Sequence, residues 1–259
     1  MVAGLRVDLN CDVGESYGAF KIGVDQQLFR HVTSANIACG WHAGDPLTMR
    51  ETVRLASSMN VAIGAHPGFP DLLGFGRRNM SVSEEEARSY VTYQVGALDA
   101  FVRAAGARMQ HVKLHGAFYN MAAEDERLAR AVAQAVREYD PELLLVGLAG
   151  SRMLEIARES ALRVVHEAFA DRAYLASGRL APRSAPGAVI HEPKIAAARA
   201  VRIVSKGTIE TIDGQEIAVH ADSICIHGDN PEACAVAAAI RDAFQAAGIE
   251  VTPMRLALK

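Results

Sequence analysis

Short apolar runs alternate with longer stretches of helical period along most of the chain. Residues 5–10, Leu-Arg-Val-Asp-Leu-Asn, alternate apolar and polar side chains and predict a first strand. A short helix is expected over 24–32. A second apolar run opens at Asn36, breaks at Gly40 and Gly44, and yields at Asp45-Pro46 to a helix over 47–60, with Asp as N-cap and Pro at the first helical position. A third strand is expected over 61–65, followed by a loop rich in glycine and arginine over 72–79. Ser83 with Glu86 three residues on is a capping box, opening a helix that runs to about 105 and ends at Gly106. Strands over 111–115, 143–148 and 162–165 are separated by helices over 124–139 and 152–159. The rhythm then changes. Residues 173–199, broken by Gly178, Pro182, Pro186, Gly187 and Pro193, read as irregular. Residues 201–204, 208–212 and 216–219 read as short antiparallel strands, with Asp213-Gly214 as a hairpin turn. A strand over 223–226, a helix through 247 and a final strand over 249–252 complete the pattern.

Strand followed by helix, repeated six or seven times, implies a parallel sheet with helical crossovers. Polar and glycine residues follow nearly every strand. A closed barrel gathers such loops at one mouth, whereas an open sheet concentrates chemistry at one switch point. The expected fold is therefore α/β: an irregular (β/α) barrel of about seven strands with a small antiparallel hairpin insert, a single domain over 1–259.

Composition narrows the function more than the fold. Half of the 259 residues are hydrophobic, enough for one large core. The 27 basic and 30 acidic residues leave a formal charge of −3, which argues against a nucleic-acid footprint. No apolar run is long enough to span a bilayer, and the N-terminus shows no secretory pattern. Cys11, Cys39, Cys225 and Cys234 are scattered without a C-x-x-C pair, so reduced thiols and a cytoplasmic protein are expected.

His42, His66, His115 and His227 each lie just after an expected strand, and Asp12, Asp45, Asp71, Glu167, Asp171 and Asp229 follow the same placement. One such His is usually structural; four on the same edge of a barrel would share a cavity. Two uses compete. Imidazoles with a carboxylate could hold a divalent metal and activate water. Without a metal, carboxylates and His would act as acid and base while Arg77, Arg78, Lys113 or Arg172 hold an anionic substrate. The spacings match no H-E-x-x-H signature, so the choice stays open. Lys113 and His115 share parity on one strand and can both point inward; a buried Lys there needs a carboxylate or an anionic ligand to stay charged. There is no G-x-x-x-x-G-K-[ST] loop for ATP and no G-x-S-x-G elbow. Cys11 and Cys39, near the mouth, read better as small buried apolar groups than as nucleophiles.

Several longer motifs carry a resemblance. They are Asp8-Leu-Asn-Cys-Asp-Val-Gly-Glu-Ser16, Asn36-Ile-Ala-Cys-Gly-Trp-His-Ala-Gly-Asp-Pro46, Gly64-Ala-His-Pro-Gly-Phe-Pro-Asp71, Gly74-Phe-Gly-Arg-Arg78, Val112-Lys-Leu-His-Gly-Ala-Phe-Tyr-Asn120, Glu167-Ala-Phe-Ala-Asp-Arg172 and Ile224-Cys-Ile-His-Gly-Asp-Asn-Pro231. In this order, over essentially the whole chain, they resemble the LamB/YcsF family. Trp41, Phe118 and Leu114 depart from the residues common there, but every polar motif position is kept.

The resemblance implies a barrel of the glycoside hydrolase/deacetylase type. It also implies ATP-dependent opening of the lactam 5-oxoproline to L-glutamate, together with partner 5-oxoprolinase subunits B and C. On that reading Asp12, His42, Asp45, His66 and His115 are the catalytic candidates. Asn10, Asn36, Arg77, Arg78, Lys113, Glu167, Arg172, His227 and Asp229 are the substrate-binding candidates. Asp12, or His115 through water, would be the general base. Lys113 or Arg78 would hold a carboxylate or phosphate. His42 and His66 would polarise the ring or bind a metal, for which Asp12, His42, His66 and His115 are the candidate ligands. The alternatives are a stand-alone metal-dependent deacetylase or amidohydrolase, and a non-catalytic component that only binds 5-oxoproline. Self-association is left open.

Overall fold

The computed structural model describes residues 4–228 and 232–258. Seven parallel strands close on themselves: β1 (Arg6–Val13), β2 (Ser34–Ala38), β3 (Ala62–His66), β4 (Met109–Lys113), β5 (Leu144–Leu148), β6 (Arg163–Phe169) and, after a long excursion, a strand over Ser223–His227 that pairs with both β6 and β1. The excursion holds the antiparallel hairpin of β7 (Thr208–Glu210) and β8 (Glu216–Ala218), so the closing strand is β9; β10 (Glu250–Val251) joins the start of β1. The expected irregular seven-strand barrel with a hairpin insert is what forms. Among the described residues no helix is long and apolar enough to cross a membrane.

The helices are α1 (Asp25–Leu28), α2 (Pro46–Ser58), α3 (Glu84–Ala104), α4 (Gly116–Ala122), α5 (Glu126–Tyr139), α6 (Arg152–Glu159), α7 (Pro193–Lys206), α8 (Ala233–Ala246) and α9 (Met254–Ala257). Their starts follow local chemistry. Asp45 accepts from the Leu47 and Thr48 amides at the head of α2, and Ser83 and Glu86 form a reciprocal capping box at α3. One expectation is overturned here. Residues 201–204 are not a strand but the end of α7. Pro193 sits at its first turn, Ala196, Ala197, Ala200 and Ile203 bury one face at helical spacing, and Gly207 in the left-handed conformation ends it. Helical period over the whole segment outweighs the three β-branched residues Val201, Ile203 and Val204 at its end. The short helix α4 was also not anticipated, because its start lacks a side-chain cap.

Apolar side chains on the outer face of the barrel, such as Val7, Leu9, Cys11 and Val13 of β1, join the helices in the main core. The barrel interior is divided. On the β5–β6 side Leu144, Val146 and Val165 form a separate apolar cluster, closed from below by Met254 of α9. On the β1, β2 and β9 side the interior is polar.

Candidate functional site

Strand parity builds the polar half. On β1 the alternate residues Asp8, Asn10 and Asp12 turn inward, and the register sets them beside Ser223, Cys225 and His227 of β9. Ser34 and Asn36 continue the same face on β2, Gly64 and His66 on β3, His111 and Lys113 on β4. At the bottom, Asp8 accepts hydrogen bonds from the hydroxyls of Thr33, Ser34 and Ser223. Burial pushes its carboxyl up to about 6, although the three hydroxyls oppose this.

One layer higher, the Asn10 amide donates to Glu167 Oε1 at 3.0 Å and to Ser223 Oγ at 2.7 Å. Asn36 donates to Asn10 Oδ1 and Asp12 Oδ1 at 2.7 and 2.8 Å, and accepts from His111 Nε2 at 2.7 Å. Burial lowers the His111 imidazole to about 3, so it stays neutral. An added Cβ at position 64 would overlap that ring, which explains the glycine on the facing strand.

Lys113 is the centre of the next layer. Its Nζ lies 2.9 Å from Asp12 Oδ1, 2.8 Å from Glu167 Oε1 and 3.0 Å from Cys225 Sγ, and the side chain is 3% exposed. Burial alone would lower the ammonium, but Asp12, Cys225 and Glu167 beside it hold it well above the ordinary lysine range. Burial alone would likewise raise Asp12, yet His66 and Lys113 hold it well below the usual carboxylate range. The second Glu167 oxygen accepts from Tyr119 at 2.8 Å. Lys113 is thus a buried cation between two carboxylates, the condition the sequence demanded of it.

Beside this triad the loops after β1, β2 and β4 deliver Glu15, His42 and His115, and the end of β3 delivers His66, all buried. His42 and His115 stack with centroids 3.7 Å apart and 2° between planes; His66 stands edge-on to both. His66 Nδ1 donates to Lys113 O at 2.8 Å and His115 Nε2 to Phe75 O at 2.8 Å, while His66 Nε2 and His115 Nδ1 are 3.0 Å apart. Burial, reinforced by the neighbouring imidazoles, holds His42 and His115 well below the ordinary histidine range. A second set, Asp12, Cys225 and His227, also brings possible ligand atoms together.

Above the polar floor opens a cavity of about 1120 Å³. Arg77 and Arg172 face it, with Arg183 on the same loop as its outer wall. Arg172 is buried and donates to the carbonyls of Ala181 and Ala188; burial, and then the nearby Arg183, lowers it to about 10. His227 Nδ1 meets Asp171 Oδ2 at 2.9 Å.

Most of the expected site residues therefore converge: Asn10, Asp12, Asn36, His42, His66, Lys113, His115, Glu167, Arg172 and His227, with Arg77 at the rim. Two do not. Asp45 is spent on the Gly18 amide and on the start of α2, which hold its carboxyl at about 2, and it belongs to neither group of clustered ligand atoms. Arg78 pairs through its Nε with Asp71 at 3.0 Å and is 67% exposed, so the two form a loop clasp. Asp229 lies outside the described residues. Cys11 and Cys39 are buried thiols pushed up by burial, Cys39 to about 12, in keeping with a packing role. Sequence reasoning missed Glu15, His111, Tyr119, Ser223 and Cys225. Parity with His227 would have found Ser223 and Cys225.

Fold and site define a parallel βα barrel with a buried polar mouth, of the kind that houses small-molecule chemistry at the C-terminal ends of its strands. The LamB/YcsF family model matches residues 7–259, and the chain belongs to that family. A relative from Alkaliphilus metalliredigens, named as the A component of 5-oxoprolinase, is 55% identical over 254 residues, 98% of this chain and 99% of the relative. The crystal structure of a lactam utilization protein from Thermus thermophilus superposes with a TM-score of 0.91 at 55% identity, covering 96% of this chain and 99% of that one. A T48 deacetylase solved with substrate shares the fold alone, with a TM-score of 0.50 at 12% identity over 98% of this chain and 90% of that one.

Proposed function

We propose that this chain is the A component of an ATP-dependent 5-oxoprolinase, opening 5-oxo-L-proline to L-glutamate together with subunits B and C. The observation that carries the reading is the end-to-end match, above half identity, to relatives named as that component of 5-oxoprolinase.

The site is suited to that chemistry. A five-membered lactam is a resonance-stabilised amide that water attacks slowly. Phosphorylation of its oxygen at the expense of ATP, assigned here to the partner proteins, would make the carbon electrophilic; water adds, the C–N bond breaks with the nitrogen taking a proton, and a second water hydrolyses the resulting acyl phosphate to glutamate and phosphate. The substrate is an anion, and phosphorylation adds charge; Arg172, with Arg77 and Arg183, gives the cavity wall the complementary sign. The cavity is far larger than the ring, leaving room for the phosphoryl group. Asp12, held as a carboxylate by Lys113 and His66, orients the attacking water. The Asp171–His227 pair moves its proton: with Nδ1–H donated to the carboxylate, the neutral ring keeps its lone pair on Nε2. Lys113 balances the two carboxylates and keeps the floor from repelling an anion.

The test is reconstitution. The chain mixed with subunits B and C, 5-oxoproline and ATP should yield glutamate and ADP in equal amounts, and Asp12→Asn and His227→Gln should abolish glutamate formation. Hydrolysis of an N-acetyl substrate by the chain alone, without ATP, would replace this reading by the stand-alone deacetylase.

A further inference from the structure

The hydrogen inventory of the histidine cluster does not close with neutral rings alone. Lys113 O and Phe75 O can only accept, so His66 Nδ1 and His115 Nε2 each carry a hydrogen. On neutral rings the remaining nitrogens, His66 Nε2 and His115 Nδ1, are then both lone pairs, yet they face each other at 3.0 Å. Two lone pairs at that distance repel unless a cation lies between or beside them.

A proton could serve two nitrogens, but the site offers four donors. His42 brings a third imidazole, neither of whose nitrogens has a hydrogen-bond partner among the described residues. Glu15 brings a carboxylate oxygen 3.6 Å from His42 Nε2 and 3.7 Å from His115 Nδ1. Ligand atoms from all four residues lie within 4.8 Å of one another. Metal–nitrogen and metal–oxygen bonds of about 2.0–2.2 Å in a tetrahedron place neighbouring ligand atoms roughly 3.4 Å apart. The observed separations of 3.0, 3.6 and 3.7 Å straddle that value. Backbone carbonyls gripping the far N–H of His66 and His115 fix ring orientation in the manner expected of metal-binding imidazoles.

The cradle is also built for these rings. A Cβ at position 68 would stand 2.7 Å from His42 Nδ1, and one at position 76 would stand 2.8 Å from atoms of both His42 and His115. Only glycine lets those loops close over the cluster.

We propose that Glu15, His42, His66 and His115 bind one divalent transition-metal ion of the class that accepts mixed imidazole and carboxylate ligands, zinc being the reference case. The other group of candidate ligands, Asp12, Cys225 and His227, is not the site, because the Lys113 ammonium already stands 2.9 Å from Asp12 and 3.0 Å from Cys225 and takes a cation's place there. The inference concerns binding alone and does not depend on which substrate the cavity accepts.

The test uses the full chain, stripped with a chelator, dialysed, and titrated with cobalt(II) and with zinc(II). Stoichiometry is read by elemental analysis and geometry by the visible cobalt bands. One ion per chain with the spectrum of a four-coordinate nitrogen/oxygen site is expected. His42→Ala and His115→Gln should each weaken binding by more than about tenfold, while Cys225→Ser should still bind one ion without change in the bands. A wild-type chain that shows a native circular dichroism spectrum and takes up no ion with metal in excess overturns the proposal, whatever the variants do. Uptake lost in Cys225→Ser and kept in His115→Gln overturns it equally, by moving the ion to the other cluster.

Discussion

The deepest layer of the barrel makes a measurable claim about pH. Asp8 is fully buried, and its carboxyl is raised from 3.8 to about 6. A shift of about two units corresponds to roughly 3 kcal/mol between the two protonation states. The sign follows from linkage. Between about pH 4 and 6 the folded state holds a proton that the unfolded state has released, so this group's contribution to stability falls as pH rises through that window and is fully unfavourable above it. Asp8→Asn removes the titration. The introduced amide oxygen can still accept from Thr33 and Ser34, but the Ser223 hydroxyl, now facing an NH₂ donor, loses its acceptor, at a cost of about 1 kcal/mol at every pH. Relative to wild type, the variant should therefore be slightly less stable at pH 4 and more stable by about 2 kcal/mol at pH 7. For a chain of this size that is a gain in Tm of roughly 4–8 °C at neutral pH. Urea unfolding of both proteins at pH 4, 5, 6 and 7 measures it. A stability difference that stays constant across those four points would refute the buried, raised carboxyl.

Three further outcomes follow from the same geometry. Lys113→Met should lower stability at pH 7 by about 3–5 kcal/mol in thermal or denaturant unfolding, because it leaves Asp12 and Glu167 buried without their cation. Asp45→Ala should cost about 1–2 kcal/mol through loss of the α2 cap, whereas Asp45→Ser should restore most of it and keep coupled turnover, as a cap and not a catalytic group would. Gly76→Ala, at a φ of +64° and against both stacked rings, should cost about 1–3 kcal/mol and shift the His42 and His115 imidazole resonances in NMR spectra.

Much of the site was legible because a strand has period two. Once 5–10 was read as a strand, Asp8 and Asn10 had to share a face, and Asp12 joined them when β1 proved to run on to Val13. The same rule paired Lys113 with His115 and anticipated that the lysine needed a carboxylate. What parity cannot supply is the partner across the barrel. Glu167 is 54 residues from Lys113 in sequence, and only the closure of β9 onto β1 and β6 brings Ser223 and Cys225 beside Asp8 and Asn10. The misplaced strand at 201–204 failed for a related reason. A four-residue run such as Val-Arg-Ile-Val is too short to show a period of its own, and the helix becomes visible only when Pro193 and Gly207 are taken together as its two ends.

Asp45 and Glu15 show where loop residues escape such rules. Both follow a strand and both lie near a glycine, so position along the chain treats them alike. Their fates are decided by what the next residues do. After Asp45, Pro46 starts a helix whose free amides point back at the carboxylate, and those amides, with that of Gly18, take both of its oxygens. After Glu15 the chain does not enter a helix until α1 at Asp25, so no helix start follows it directly, and its carboxylate lies 3.6 Å from His42 Nε2 and 3.7 Å from His115 Nδ1. An acidic residue at a strand end is thus available for chemistry when the chain does not continue at once into a helix. By that criterion Glu15 outranks Asp45 as a site residue, though both motifs look equally polar in the sequence.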